Sequence, residues 1–527
     1  MYDILIRGGI VVDGSGRDGF PADVAVKNGK IAAVGPDLDG AEQIIDAAGM
    51  TVTPGFIDIH RHADAEVFRP CFGELELAQG LTTVINGNCG LSVAPIDGQY
   101  RQDVLNYLTP ITGEVGADVP TGSIAHYLRM ADHRPIHTGM LVGAGTVRAS
   151  VAGYSCQHLS AAQMRKVQEL LARSLEEGAL GISLGLGYAP ECFATTRELI
   201  ETLEPLRDGD IPITVHMREE GDGVCDALRE MLTVAKALRA PLEISHLKAM
   251  GKRNWNSKIP EAIRLMDEAR SAGVDVCCDV YPYTAGSTQL IHILPPDLLR
   301  GGTEAITDRL RSTQTREMLR RRIAHGTDFD NIAGMVGWDN IFCSSLLRPE
   351  NAPYEGRSIA DIARTMDKDP LDCACDLLVS EHCAVTMIDF IASESDIGRI
   401  LKLPYSSVIS DSTYPIGGKR HPRVYGTFAR IIEQFVRQDK VLSLPEAVAS
   451  MTSNPARALH LKGKGLLSAG MDADILVFDP EKVRERGTYA DPNHPASGFD
   501  WVLVGGECAV ARAQRTDSRS GRSIYRR

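Results

Sequence analysis

The amino-acid sequence predicts an α/β protein, a (β/α)8 barrel of the TIM type with a small β-sandwich module and an insertion in the barrel. Short apolar, β-rich segments alternate with helical segments through the middle of the chain. Alternation of strands and helices indicates a parallel sheet, and eight such units close a barrel. The two ends of the chain are β-rich without intervening helices, which indicates a separate β-module.

The β-module is predicted to contain both chain ends. Residues 1–53 consist of short apolar runs separated by glycine and aspartate, and residues 473–479 and 501–506 have the same texture. Either half alone would leave open sheet edges, which are prone to unwanted pairing. We therefore expect one module of residues 1–53 plus 463–527, and a barrel of residues 54–462.

The barrel segments are recognised by their periodicity. In residues 161–178, for example, apolar side chains recur at helical spacing. The predicted strands are 84–86, 136–142, 181–183, 213–216, 242–246, 274–279 and 407–410, and the predicted helices are 161–178, 196–206, 223–238, 259–272 and 426–438.

Two segments do not follow the barrel pattern. Residues 295–370 contain an arginine-rich helical stretch followed by further apolar runs. This segment is either an insertion that could act as a lid or an ordinary solvated helix with a loop. Residues 516–527 are rich in arginine and serine, and we expect them to form a frayed tail.

Composition limits the possible partners. The net charge of −13 argues against nucleic acid or an anionic membrane as a partner, but it allows a small anionic substrate held by local arginines. No stretch approaches 18 consecutive apolar residues, and the N-terminus lacks the pattern of a signal peptide.

The twelve cysteines include no CxxC pair, so we expect mostly buried free thiols and a cytoplasmic location. Whether the chain forms a homo-oligomer stays open.

Potential metal ligands follow several predicted strands. His60 and His62 are one residue apart, so on a strand they lie on the same face and can share one metal ion. This pair alone is weak evidence, because it could equally be two polar loop residues. Cys89, His216 and His246 also follow short apolar runs, and Asp411 does the same with a carboxylate. In a parallel barrel these positions meet at one end, where ligands bind.

Longer motifs make the chain resemble a known family. They include the Gly-Asn-Cys-Gly segment at 87–90, the Tyr-Pro-Tyr-Thr-Ala-Gly-Ser-Thr segment at 281–288 and the His-Pro-Arg-Val-Tyr-Gly-Thr-Phe segment at 421–428. On these motifs, over nearly its whole length, the chain resembles the amidohydrolase superfamily and, within it, the N-acyl-D-amino-acid deacylases (D-aminoacylases). The resemblance implies zinc-dependent hydrolysis of the amide bond of an N-acyl-D-amino acid, a small-molecule substrate with a free carboxylate.

The resemblance also implies roles for individual residues. Cys89, where many relatives carry a bridging lysine, would bind a tightly held zinc ion with His216 and His246; His60 and His62 would bind a second ion more weakly. Asp411 would be the general acid and base. The substrate would be bound by three further residues, Arg423 through the carboxylate, with Tyr283 and Ser287 as supporting donors. Each of three residues also has a plainer alternative role. Cys89 could be a buried apolar residue, Asp411 a turn residue and Arg423 the brace of a loop.

Some features leave other functions open. Arg61 stands between the first two histidines, at a position where the resemblance leads us to expect threonine or serine. The segment after Asp411 lacks the histidine-rich sequence of close D-aminoacylases. The alternatives are a cyclic amide hydrolase of the hydantoinase or dihydroorotase kind, a dipeptidase, or a barrel that binds without catalysis. Cys89 and the His-Pro-Arg segment favour the deacylase.

Overall fold

The computed structural model describes residues 1–155, 157–326 and 328–526, and its centre is a closed barrel of parallel strands. A parallel bridge between Arg61 and Ser412 joins the last strand to the first, and the amide of Asp411 donates to the carbonyl of His60 at 2.9 Å. The (β/α)8 prediction is therefore confirmed. The eight strands are Phe56–Asp58, Leu81–Asn86, His137–Met140 continued by Val142–Gly143, Ile182–Gly185, Ile213–His216, Leu242–Ile244, Val276–Val280 and Ser406–Val408.

Helices surround the barrel and connect its strands. Within the described residues, no helix has the length and apolar character needed to cross a membrane. The α-helices outside the insertion are Glu74–Leu77, Arg101–Thr112, Ile124–Met130, Ala144–Ala152, Ala161–Glu176, Thr196–Thr202, Val224–Leu238, Lys258–Ser271, Arg423–Arg430, Leu444–Met451 and Ser453–Ala458, with a π-helix at Ile431–Gln438. Short 3-10 turns lie at Glu66–Phe68, Glu191–Phe193, Glu204–Leu206, Leu290–Ile293, Pro296–Leu299, Trp338–Asn340, Ala352–Tyr354 and Pro480–Lys482.

The helix Ala161–Glu176 illustrates how the sequence specifies these elements. The side chain of its N-cap, Ser160, accepts a hydrogen bond from the amide of Gln163, and the Gln163 side chain accepts one from the amide of Ser160, which forms a capping box. Met164, Val167, Leu171 and Leu175 are buried against the barrel, as their helical spacing predicts.

The ends of the chain form one nine-stranded sheet, in which Ile475–Phe478 pairs antiparallel with Thr51–Pro54. This is the joining of the two ends that the sequence predicts; the exact boundaries at residues 53 and 463 stay a prediction. The strands are Tyr2–Val11, Phe20–Lys27, Lys30–Gly35, Ala41–Asp46, Thr51–Pro54, Ile475–Phe478, Phe499–Val504, Glu507–Ala511 and Gln514–Arg515.

The expectation of a frayed tail is wrong for the described part of residues 516–527. Ser523–Ile524 adds a short parallel strand beside Thr138 and Gly139 of the third barrel strand. The amide of Arg526 also donates to the carbonyl of Gly178 at 3.1 Å. These backbone hydrogen bonds hold the segment against the barrel despite its polar composition.

The irregular region lies between the seventh and eighth barrel strands and extends beyond 295–370 on both sides. It contains a three-stranded antiparallel sheet, and its side chains form one wall of the cleft described below. Its strands are Ala285–Gln289, Ile341–Ser345 and Thr386–Phe390, and its helices are Gly302–Leu310, Thr313–His325, Ile332–Val336, Ile359–Met366, Pro370–Ser380 and Glu394–Leu401.

Candidate metal centre

Potential metal ligands from four barrel strands meet at the carboxyl end of the barrel. Their donor atoms form two sets, each within 4.8 Å, and the Cys89 sulfur belongs to both. All five residues predicted as ligands are therefore brought together. One set is His60, His62 and Cys89, and the other is Cys89, His216 and His246.

The spacing of the donor atoms suits a zinc ion. The Sγ atom of Cys89 lies 3.2 Å from Nε2 of His60 and 3.5 Å from Nε2 of His246, and Nε2 of His246 lies 3.0 Å from Nδ1 of His216. Zinc bonds to nitrogen and sulfur at tetrahedral angles put neighbouring donor atoms about 3.3–3.6 Å apart. The residues present therefore fit zinc in donor type and approximately in spacing.

The electrostatic environment favours the thiolate form of Cys89. Burial by itself would raise the pKa of this thiol, but the charge of His60 and hydrogen bonds with His216 and His246 hold the pKa well below its usual range. The thiolate is the form that binds a metal.

Buried carboxylates orient two of the imidazole rings. Nδ1 of His60 lies 3.1 Å from Oδ2 of Asp279, and Nδ1 of His246 lies 2.9 Å from Oε1 of Glu220. Such contacts leave Nε2 of each ring facing the site and increase its basicity. Sequence reasoning missed both carboxylates, although Asp279 lies in the seventh barrel strand and Glu220 stands four residues after His216.

Three of the site residues have left-handed backbone conformations, with φ of 54° at Cys89, 36° at His246 and 49° at Asp411. Such conformations are uncommon for residues other than glycine and tend to occur at functional sites. Gly185 packs so closely against Cys89 that no side chain fits at position 185. A Cβ atom there would lie 2.1 Å from the carbonyl oxygen of Cys89. The backbone around Cys89 is thus tightly constrained.

Asp411 lies between the histidines and an arginine. Its Oδ1 atom is 3.3 Å from Nε2 of His62 and 3.5 Å from Nε2 of His60, and its Oδ2 atom is 2.9 Å from Nη1 of Arg423. Burial would raise the pKa of this carboxyl, but Arg423 and the histidines hold the pKa well below its usual range. Asp411 is therefore ionised at neutral pH and can accept a proton.

The predicted substrate-binding residues are only partly brought together. Arg423 is fully buried and donates from Nη2 to the carbonyl oxygen of Ser287 at 3.1 Å, and Ser287 lines the cleft. Tyr283 instead donates its hydroxyl to Glu485 at 2.7 Å and is not part of the cleft wall. Tyr281, two residues earlier, lines the cleft and packs its ring 4.9 Å from the Arg423 guanidinium.

Lys248 is a second cation of the site that sequence reasoning missed. It is only 8% exposed, and its Nζ atom lies 2.7 Å from Oε1 of Glu220 and 3.0 Å from Nδ1 of His246. Its position two residues after His246 could have suggested it, because alternate residues of an extended segment share a face.

A cleft with a volume of about 250 Å³ opens over His216, His246 and Asp411. On one side the Tyr188 ring packs 4.3 Å from the His216 ring and 4.4 Å from the His292 ring. The insertion supplies an apolar part of the wall, Leu294, Pro296, Leu299, Phe329 and Ile332.

A closed parallel barrel with imidazole, thiolate and carboxylate groups at its carboxyl end defines a metal-dependent barrel hydrolase. Comparison with known proteins makes the class specific: the model of the amidohydrolase family matches residues 43–206 and 398–510. A D-aminoacylase of Alcaligenes xylosoxydans xylosoxydans is 32% identical over 528 residues, which cover 100% of this chain and 98% of the relative. The chain belongs to the amidohydrolase family, in its branch of N-acyl-D-amino-acid deacylases.

Two solved structures resemble the whole chain. An N-acyl-D-glutamate deacylase from Bordetella bronchiseptica, in complex with zinc and a phosphonate that mimics the tetrahedral intermediate, has a TM-score of 0.83 at 29% identity, with 100% of both chains covered. A D-aminoacylase with a binuclear metal centre, in which one metal activates and a second attenuates, has a TM-score of 0.83 at 30% identity, again with 100% of both chains covered.

Proposed function

We propose that this protein hydrolyses the amide bond of N-acyl-D-amino acids and releases a carboxylate and a D-amino acid, with zinc held by Cys89, His216 and His246. One observation carries the proposal: a thiolate-histidine set lies beside an ionised Asp411 in a cleft that is lined by the buried Lys248, with the buried Arg423 paired to Asp411 at its edge. The similarity to a D-aminoacylase and to a zinc-containing deacylase supports the same reaction.

Asp411 carries the proton in this reaction. Zinc, when bound, supplies a Lewis acid and lowers the pKa of water. Oδ1 of Asp411 faces the histidines, so it accepts a proton from the attacking water and later delivers that proton to the nitrogen of the leaving amine. Arg423 holds the other oxygen, Oδ2, and so fixes the orientation of the carboxylate.

The two buried cations provide binding for the substrate carboxylate. Arg423 and Lys248 pack on the same ring, that of Tyr281, with the guanidinium 4.9 Å and the ammonium 5.9 Å from its centroid. A substrate carboxylate near this ring would face both charges. Ser287 borders the same part of the cleft and adds a hydroxyl donor.

A second ion would be held by His60 and His62 together with Cys89. It would bind more weakly, because Cys89 is shared with the first set and His62 is already in contact with Asp411 at 3.3 Å. Two metals with opposite effects on a related D-aminoacylase are consistent with two sites of unequal strength.

The test is to measure bound metal and the turnover of N-acetyl-D-methionine, N-acetyl-L-methionine and hydantoin by the purified protein. We expect about one tightly held zinc ion per chain and turnover of the D isomer. Turnover of only the L isomer or hydantoin would replace this proposal with an L-specific amidase or a cyclic amide hydrolase. Absence of all turnover in the zinc-loaded protein would favour a binding barrel.

A further inference from the structure

The substrate cleft contains more carboxyl groups than its cations neutralise. Each cation that lines it has a carboxylate partner: Arg218 lies 2.9 Å from Glu230, and Lys248 lies 2.7 Å from Glu220. Arg423, beside the cleft, is paired with Asp411. The acidic groups that remain therefore determine which additional charge the cleft accepts.

Three carboxyl groups on the cleft wall have no cation within 4.0 Å among the described residues: Asp389, Asp330 and Glu219. Asp330 accepts hydrogen bonds from the backbone amides of residues 220 and 221 at 2.5 and 3.1 Å. Burial raises the pKa of Asp330 to about 8, so this carboxyl is largely protonated at neutral pH. The hydrogen-bonding capacity of the Asp330 carboxyl is therefore already met by the two backbone amides.

Asp389 differs from the other two. It is only 2% exposed, and its Oδ1 atom has no hydrogen-bond partner in the part of the chain that the structure describes. Burial raises its pKa, opposed by Lys248 and Arg423, to about 6, so the group is mostly ionised at neutral pH. Leaving a buried charge without a partner is costly, and a ligand cation would remove that cost.

Asp389 borders the cleft, where its carboxyl lies against a glycine. Asp389 lies opposite Gly286 in the antiparallel sheet of the insertion, and Gly286 immediately precedes Ser287 in the chain. A Cβ atom at position 286 would lie 3.0 Å from Oδ1 of Asp389. Oδ1 therefore packs closely against Gly286, where a larger residue would crowd it, and Gly286 and Asp389 both border the cleft.

We infer that the cleft prefers N-acyl-D-amino acids with a cationic side chain, an ammonium or a guanidinium, and that Asp389 is the specificity-determining residue that binds this cation. The inference rests on the proposed function and adds the substrate class to it. An anionic side chain would meet Asp389 and Glu219, because Lys248 and Arg423 bind the substrate's own carboxylate and Arg218 is paired with Glu230. This chain would thus differ from its structural relative that deacylates N-acyl-D-glutamate.

The first test is a substrate panel with the zinc-loaded enzyme at neutral pH and low ionic strength. We expect kcat/KM for N-acetyl-D-arginine and N-acetyl-D-lysine to exceed that for N-acetyl-D-methionine by about tenfold, the size of one charge-assisted hydrogen bond, with N-acetyl-D-glutamate lowest. A preference for the methionine or glutamate derivative would overturn the inference while leaving the proposed function intact. If no N-acyl-D-amino acid is hydrolysed, the proposed function itself is wrong.

The second test assigns the preference to a residue. In Asp389→Asn, the loss of kcat/KM for N-acetyl-D-arginine should be about tenfold larger than the loss for N-acetyl-D-methionine, and should arise mainly in KM. The control is Asp339→Asn, an exposed aspartate of the same insertion that does not line the cleft. Equal losses on both substrates would mean that Asp389 has only a structural role. If the variant does not fold, the substrate panel alone decides whether the preference exists.

Discussion

The guanidinium of Arg423 is paired with the carboxylate of Asp411, with Nη1 2.9 Å from Oδ2. The residue predicted to bind the substrate thus also holds the predicted general base in its ionised form. Arg423 lies on the helix that follows the eighth barrel strand, and Asp411 lies just beyond the end of that strand. In the proposed mechanism, substrate binding and proton transfer would therefore be coupled through the side chain of Arg423.

Replacing Arg423 should affect both processes. In Arg423→Ala, we expect KM to rise for substrates with a free carboxylate. The pKa of Asp411 should also rise, because its largest stabilising charge is lost, so the acidic limb of the pH–rate profile should move to higher pH. The measurement compares N-acetyl-D-methionine with its uncharged amide over a pH series. An equal rise in KM for both compounds would contradict the carboxylate-binding role.

Cys89→Ala should remove tightly bound zinc and turnover together, because the thiolate belongs to both ligand sets. Metal analysis after dialysis, combined with a deacylation assay, tests this. Cys343→Ala is a matched control, since Cys343 is also fully buried but lies in the insertion sheet. A Cys89→Ala protein that kept its zinc would show that Cys89 is not a ligand.

Asp411→Asn should fold and retain zinc, while kcat falls about 10²–10⁴-fold, the usual contribution of general acid and base catalysis. The amide is nearly isosteric with the carboxylate but cannot accept the proton. Metal content and melting temperature, measured with kcat, separate a catalytic effect from misfolding. A variant with wild-type kcat would assign the proton transfer to another group.

Asp474 should stabilise the contact between the β-module and the barrel. Its carboxylate is 2.9 Å from His137 of the third barrel strand and 2.6 Å from Lys464, and it accepts the amide of Gly505 at 2.8 Å. Despite burial, His137 and Lys464 lower its pKa far below the usual value. The folded pKa lies below the unfolded value, so this stabilisation is complete above about pH 5 and is lost as the pH falls further.

Asp474→Asn should therefore reduce the free energy of unfolding by about 2 kcal/mol at neutral pH, because His137 and the buried Lys464 lose a shared carboxylate while Lys464 keeps its contact with Asp472 at 2.9 Å. The difference from wild type should shrink in acid. Urea unfolding at several pH values measures this. A difference that is constant between neutral and acidic pH would exclude the proposed linkage.

Arg61 should stabilise the closure of the barrel. It is fully buried and contacts Glu76 at 2.7 Å, the Tyr414 hydroxyl at 2.8 Å and Asp58 at 3.2 Å. Arg61→Met would leave two buried carboxylates without a cation, at a cost of about 3–5 kcal/mol. Arg69→Met, at a partly exposed ion pair, is the control and should cost less than about 1 kcal/mol. Equal effects in urea unfolding would contradict the role of Arg61.

Local sequence patterns predicted the barrel and the convergence of the proposed ligands at one of its ends. Strand–helix alternation predicts a parallel barrel, and in such a barrel the residues that follow each strand converge at one end. His60, Cys89, His216, His246 and Asp411 each follow an apolar run, so their meeting could be foreseen from local patterns. The same holds for the pairing of the two chain ends, because each half lacks strand partners by itself.

Which polar side chains border the cleft depends on packing between elements and could not be predicted from local sequence. Tyr281 and Tyr283 stand on either side of one proline and look equivalent in sequence, yet Tyr281 borders the cleft while Tyr283 binds Glu485. Lys248, Glu220 and Asp389 likewise acquire their roles from neighbours that are distant along the chain. Periodicity fixes the direction of a side chain only within its own element; the charges that surround it are set by packing between elements.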